Sequence, residues 1–383
     1  MEHAMPPRHT LTEQERTVLD IIMENPFASQ KDLAERCGMT RPTLATYIGQ
    51  LTRKGYLLGR AYVAATRASI VCIGGAAIDR KFCLSSPLVT GTSNPATGYT
   101  GFGGVARNVC ENLARLGQET TLITIVGDDL PGHALADHMK NCGVNTSRIQ
   151  FAGNASTAEY IAILDDSHDL GIAVFDAAVF DRLDIDTIQR SWPLIAAAGW
   201  LFVDCNVSAE VLAWLAQKTR EAGFSLAVDT VSVPKAERLR GQLGGVRVLF
   251  TNRDEALTLL EGSTATTSAA IAMALVAQGV ETVIMTEGAR GLTVADASGV
   301  RALPAYRTNV VDVTGAGDAL VAATLSALSE NTDTVRACRQ GLAAAALTVG
   351  CRESVCPGIS HEQISTFMKT HAGTDSQAKE TAL

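Results

Sequence analysis

The sequence predicts an α/β protein: a doubly wound sheet with a small separate β layer, preceded by an all-α unit. Three observations carry this. From Ser69 onward, apolar β-rich runs alternate with amphipathic stretches, the pattern of parallel strands linked by helices. One stretch, "AEYIAILDDSHDLGIAVFD", breaks that rhythm and reads as a hairpin. Ahead of Ser69 the chain shows three short helix patterns, and its charge differs: residues 1–67 carry nine Lys/Arg against seven Asp/Glu, about +2, while the rest carries 23 against 33, about −10. The two parts are expected to be separate domains, 1–67 and 68–369, with the seam in "AYVAATRAS" and a polar, disordered tail over 370–383.

The first helix is read from "LTEQERTVLDII", where Leu11, Val18, Leu19 and Ile22 share one stripe and acids crowd the first turn. "SQKDLAERCG" offers Ser29 as N-cap and Gly38 as a stop for a helix of barely two turns. A third helix follows in "TRPTLATYIGQLTRKG": Thr40 caps it, Pro42 sits where its missing N–H costs little, and Gly55 ends it. Leu44, Ile48 and Leu51 point inward. The outward face then shows Arg41, Thr43, Thr46, Tyr47, Gln50, Arg53 and Lys54, groups able to bond phosphates and base edges. "YLLGRAYVA", turning at Gly59-Arg60, reads as a two-stranded wing. Over about residues 10–65 this resembles the winged helix-turn-helix domains of bacterial regulators and implies a DNA partner. A charge of about +2 is modest for that role, so the other reading is that the module serves dimerisation or has lost its DNA role.

In the larger part, "SIVCIGG", "TTLITIVG", "GWLFVDC", "FSLAVDT", "VRVLFTN" and "ETVIMTEG" read as buried strands, most of them followed by helix patterns such as "NVCENLARLG". Ligands of such sheets collect at the carboxyl ends of the strands. The polar residues there are Asp79, read as ending the first strand, then Asp204, Asn206, Asp229, Asn252, Glu255 and Thr286. The hairpin and the stretch from Phe82 to Gly101 form the small layer, a lid over about 80–103 and 154–180.

Composition narrows the chemistry. A chain of 383 residues at 46% hydrophobic content buries a large core. Its apolar runs fall short of the roughly 18 residues a membrane span needs, and no N-terminal segment has the look of a secretion signal. Nine cysteines without a C-x-x-C pair read as reduced thiols of a cytoplasmic protein, not as disulfides or zinc ligands, and His133 and His138 are off a shared helical face.

The chemical signal lies in "DVTGAGDALVAATL", Asp312 to Leu325. Gly315 and Gly317 permit a tight turn whose N–H groups face one point, and the helix behind them adds its positive end, so an anion belongs there. Asp318 in the same turn is placed to take a proton from an attacking hydroxyl while the N–H groups hold a transferring phosphoryl. The chain has no GxxxxGK[ST], and "GFGGVA" does not follow a strand, so neither a P-loop nor a dinucleotide fingerprint competes.

At these residues the chain resembles the ribokinase (PfkB-type) carbohydrate kinase family over about residues 69–367. The resemblance implies a ribokinase-like fold, with Asp318 as catalytic base and Gly315, Ala316 and Gly317 as the anion hole. "GFGGVARNVCENLARLG" is similar to the family's N-terminal signature and implies that Gly103, Gly104 and Asn108 approach the sugar. "TNRDE" implies that Asn252 and Glu255 organise magnesium through water, and "TEGARG" that Thr286, Gly288 and Gly291, with Thr314, border ATP. Asp312 and Ser354 fall where family members often bind a monovalent cation, here potassium. Asp79 suits two adjacent ribosyl hydroxyls. Lys235 is placed either to reach a phosphate or to lie solvated at a helix start. The stretches "SNP", "GGVARNVCENLARLG" and "VDTVSVPKA" look most like pseudouridine kinases and related nucleoside kinases, ahead of kinases for free sugars. The implied assembly is a homodimer built by lid strands. Two functions stay open: a nucleoside kinase whose N-terminal domain is incidental or regulatory, and a transcriptional regulator that senses a nucleoside through a kinase fold.

Overall fold

The structure, a computed structural model, describes residues 11–24, 28–57, 69–167, 170–222 and 224–371. The N-terminal unit consists of helices Glu13–Glu24, Gln30–Arg36 and Arg41–Arg53. Local chemistry sets their ends. Thr12 and Glu15 bond each other's backbone, Ser29 accepts from Asp32 N–H, and Thr40 accepts from Thr43 N–H. Gly38 and Gly55 take left-handed conformations, with φ of 63° and 76°, where the second and third helices stop. Val18, Leu19, Ile22, Leu33, Leu44 and Leu51 form the core of this unit.

Strands then follow in chain order: β1 (Ile70–Ile73), β2 (Ala77–Leu84), β3 (Ala96–Gly103), β4 (Thr120–Gly127), β5 (Asn145–Ala152), β6 (Ala158–Leu164) and β7 (Leu170–Asp176). The second half adds β8 (Trp200–Asp204), β9 (Ser225–Asp229), β10 (Val248–Asn252), β11 (Thr282–Thr286), β12 (Leu292–Asp296) and β13 (Gly299–Leu303). The large sheet has nine strands in the order β13-β12-β11-β10-β9-β8-β1-β4-β5. It is parallel from β11 to β5 and closes with antiparallel β12 and β13. All six strands read from the sequence are present. Strands β5, β12 and β13 are additions at the two edges.

Alternation along each strand explains the layering. Val71, Ile73, Leu201, Val203, Leu249, Val283 and Met285 face one helix layer, while Ile70, Cys72, Trp200, Phe202, Val248, Phe250 and Ile284 face the other. Each such side chain contributes about 1.5–3 kcal/mol by leaving water. Strand β1 lies between β4 and β8, so the winding direction reverses there and opens a crevice at the carboxyl ends.

The small sheet runs β3-β2-β6-β7 and matches the expected lid, though it begins earlier, at Ala77. Strand β7 is exposed along its whole length. The helix His361–His371 passes the expected start of the tail at 370. The rest of that tail, 372–383, and the expected wing beyond Leu57 lie outside the described residues. None of the described helices is long and apolar enough to cross a membrane.

Candidate functional site

The helix Ala316–Ser329 starts from Gly315, whose φ of 79° places it in the left-handed region and whose missing Cβ leaves room for the carbonyl oxygen of Ser354. No side chain caps this helix. The Ala316 N–H reaches the Val313 carbonyl at 3.4 Å, which leaves the N–H groups after it available to a ligand. A Cβ on Gly317 would meet nothing within 4 Å, so that side of the turn is open. Asp318 lies half-buried in the first turn and accepts a 2.6 Å hydrogen bond from the Asn108 amide. Burial pushes its pKa up to about 7, against the opposing pull of Asn108 and Arg107, and the nearby Asp204 and Asp79 add to the rise.

The N-terminal signature meets this turn from the other side. Gly104, with φ of 95°, begins the helix Val105–Arg115 and has no room for a Cβ against the Gly75 carbonyl. Asp204, buried at the end of β8, accepts from the N–H groups of Gly75 at 2.9 Å, Ala106 at 2.8 Å and Asn206 at 2.9 Å. One carboxylate thereby ties β1, the Val105–Arg115 helix and β8 together at the crevice. Asp79 does not end the first strand, as the sequence reading had it. Strand β1 stops at Ile73, Gly74 turns the chain, and Asp79 lies within lid strand β2 opposite Gly101 and Tyr160. A Cβ on Gly103 would overlap its carboxylate. Burial raises its pKa, offset by Arg107, Lys81 and a 3.4 Å hydrogen bond from Ser354.

The other expected groups gather farther along the carboxyl edge. Asn252 caps the helix Arg253–Leu259 in a capping box with Glu255: its oxygen accepts from Asp254 and Glu255 N–H at 3.0 Å, and its amide donates to Glu255 at 2.6 Å. Both the oxygen and the amide of Asn252 are therefore engaged within this capping box. Burial pushes the Asp229 carboxyl well up, and the charges of Asp318 and Glu255 push it further. Carboxylate oxygens are the donor type a hard divalent cation takes, but these three acids do not bring their oxygens within 4.8 Å of one another. Thr286, Gly288 and Gly291 border the end of β11. Lys235 is neither solvated nor free: it donates to Asn206 and lies over the Phe175 ring of the lid at 4.5 Å.

The expected monovalent-cation pair is not assembled as a pair. Asp312 carries the Lys81 ammonium, and the Ser354 hydroxyl faces Asp79. The cysteine reading also needs correction, since Cys351 and Cys356 are joined as a disulfide in the loop carrying Ser354, with Cα atoms 5.7 Å apart. Glu111, His138 and Cys142 do converge, with ligand atoms all within 4.8 Å. Burial would raise the Glu111 pKa, yet bonds from His138, Arg107 and Arg115 hold it at about 2, so two guanidinium groups already serve this carboxylate.

Lys81 and Arg107 are the residues sequence reasoning missed. Lys81 shares a strand face with Asp79 two positions earlier, which is a readable signal. Arg107 sits in the quoted signature itself. Fully buried, it donates to the side-chain oxygen of Asn108, to the Phe102 carbonyl at 2.6 Å and to Glu111.

In the N-terminal unit, Arg41, Thr43, Thr46 and Arg53 are exposed, whereas Gln50 and Tyr47 are half-buried, Tyr47 against the helical core. Lys54 does not point to a partner as expected. It pairs with the buried Glu15 at 2.6 Å. Gly55 abuts the backbone of Ala196 and Ala197, so the end of the third helix packs on the larger domain.

Residues 67–357 match the family described as pfkB family carbohydrate kinase, and residues 11–57 match winged helix-turn-helix DNA-binding. The chain is 30% identical over 259 residues to the uncharacterized sugar kinase YeiI of Escherichia coli, covering 68% of this chain and 71% of that one. It is 29% identical over 303 residues to the pseudouridine kinase of the same organism, covering 78% and 96%. A solved carbohydrate kinase from Agrobacterium tumefaciens superimposes with a TM-score of 0.67 at 29% identity, over 79% of this chain and 97% of that one. With its glycine turn, half-buried acid and crevice in that setting, the chain belongs to the pfkB family of carbohydrate kinases, ATP-dependent phosphotransferases with an alcohol acceptor.

Proposed function

We propose that the protein phosphorylates the 5′-hydroxyl of a ribonucleoside, with pseudouridine as first acceptor, giving pseudouridine 5′-phosphate and ADP. The observation that carries this is the Asp318 carboxylate in the first turn of an uncapped helix, tied to Asn108 of the other signature. Asp79 holds the ribosyl diol against the Gly103-Gly104 backbone, with Asn108 beside the sugar. Asp318 takes the hydroxyl proton as the oxygen attacks, contributing ~10²–10⁴ in rate. The N–H groups of Gly315, Ala316 and Gly317 hold the charge on the migrating phosphoryl. Magnesium-bound ATP supplies the phosphoryl group, with Glu255, positioned by Asn252, on the metal side. Thr286, Gly288, Gly291 and Thr314 border the nucleotide. The 29% identical pseudouridine kinase supports the choice of acceptor. A panel of nucleosides and free sugars offered with ATP and magnesium, read by ADP release, tests it. Faster turnover of uridine or ribose than of pseudouridine would remove pseudouridine from first place.

The exposed Arg41, Thr43, Thr46 and Arg53 support a second activity, DNA binding, in the same chain. Exposed Ile172, Val174 and Phe175 on β7 support a homodimer built through the lids.

A further inference from the structure

We propose that the Lys81 ammonium is a built-in monovalent cation, carried by the lid, that neutralises Asp312 and steadies the Thr314-Gly315 turn without a metal ion. The pair spans 231 residues and joins lid strand β2 to the loop entering the Ala316–Ser329 helix. Its side chains are 15% and 26% exposed, so neither partner is an ordinary solvated surface charge. Lys81 also donates to the Thr314 hydroxyl at 2.7 Å, and the other Asp312 oxygen accepts from Thr314 N–H at 2.8 Å. Ammonium and threonine together hold Asp312 below the ordinary aspartate range against the effect of burial. Both Asp312 oxygens are thus engaged three residues short of Gly315, one of them by Thr314 directly beside it, and the conformation of Gly315 opens the anion turn.

The donor set disagrees with a bound potassium ion. Potassium needs several oxygens around one point. Here Asp312, the carboxylate expected to hold the ion, is matched by a lysine, and the Ser354 hydroxyl, expected as the second ligand, is turned to Asp79. Two unit cations at one aspartate would repel. The lysine brings what an ion would bring, a single positive charge on Asp312, and being tethered it pays no entropy of capture. Its place on β2, two residues from Asp79, means that the strand proposed to hold the acceptor also carries this charge to the anion turn.

The inference rests on phosphoryl transfer at this turn and not on the identity of the acceptor. Its test therefore reads the cation site directly. The thermal midpoint of the full-length protein, and its turnover of the best acceptor in the panel, are measured in potassium, ammonium, sodium and tetramethylammonium chloride at equal ionic strength. The wild-type protein should behave alike in all four salts. Lys81→Met should lose ~10–100-fold in turnover in tetramethylammonium chloride, and should regain activity and thermal midpoint in potassium or ammonium chloride as the freed Asp312 takes up the ion. Potassium-specific activation and stabilisation of the wild-type protein would overturn the proposal, even if Lys81→Met fails to fold. A Lys81→Met enzyme impaired equally in every salt, or unimpaired in tetramethylammonium chloride, would overturn it as well.

Discussion

The Asn108 side-chain amide donates to the Asp318 carboxylate at 2.6 Å, across 210 residues of chain. The two glycine-rich signatures thereby meet at one oxygen. Asn108 favours the ionised acid and burial favours the neutral one, and the outcome is a carboxyl balanced near neutrality, at about 7. A base is most effective when its pKa lies near the working pH.

The first prediction concerns that balance. Asp318 must be ionised to accept a proton, so kcat/KM of the free enzyme should climb with pH through a limb near 7 and be ~100-fold lower at pH 5 than on the plateau. Asp318→Asn should abolish phosphorylation while calorimetry still detects nucleoside binding. Stability has the opposite sign. Between the ordinary 3.8 and about 7 the folded state holds a proton that the unfolded chain has lost, so the protein loses stability as pH rises through that window. The thermal midpoint of Asp318→Asn should exceed that of the parent more at pH 8 than at pH 5.

Arg107 should act through Asn108. Its guanidinium occupies the Asn108 side-chain oxygen, which leaves the amide nitrogen for Asp318, and its charge helps to keep Asp318 ionised. Arg107→Met should move the ascending limb of the kcat/KM profile to higher pH, with activity recovering in alkaline buffer. A uniform loss at every pH would mean that the arginine only supports folding.

Much of this site was legible because its signals are local. Caps at Ser29 and Thr40, the alternation along β1 and β8, and the Gly315 turn depend on neighbours a few residues away. The misreadings are long-range. Gly74 redirects the chain after only four strand residues, and nothing in "GGAAIDRKF" alone shows that Asp79 will sit on the lid. Lys81 finds Asp312 across 231 residues, and Lys54 leaves the outward face for Glu15, 39 residues back. The Cys351–Cys356 disulfide is the local exception: the two cysteines lie five positions apart, and the pairing depends on the loop between them folding back on itself. Strand β13 is mostly exposed or half-exposed, so it lacks the apolar run that marked the central strands.

Gly315 offers a sharper test of the anion turn than the acid does. Its φ of 79° disfavours any L side chain, and a Cβ would overlap the Ser354 carbonyl. Gly315→Ala should therefore displace the turn and cost at least ~10²-fold in kcat. Gly317→Ala meets nothing within 4 Å and should keep the fold intact, so any loss there reports on space needed by the substrate. Comparing the two variants by thermal midpoint and turnover separates strain from lost contact.

The N-terminal unit carries the last prediction. Arg41 and Arg53 bracket the third helix and stay exposed, while Lys54 is neutralised by Glu15 and contributes little to a phosphate track. Affinity for DNA is dominated by phosphate contacts and falls with salt in proportion to their number. The double variant Arg41→Ala, Arg53→Ala should weaken binding to fragments from the protein's own promoter region and reduce the slope of log K against log salt by about 2. Lys54→Ala should instead lower the thermal midpoint, since it strands a buried carboxylate. Gel-shift titration at several salt concentrations checks the first, and a thermal melt of Lys54→Ala checks the second. If no fragment shifts at low salt, the exposed arginines serve another purpose and the packing of Gly55 on Ala196 becomes the main role of this helix.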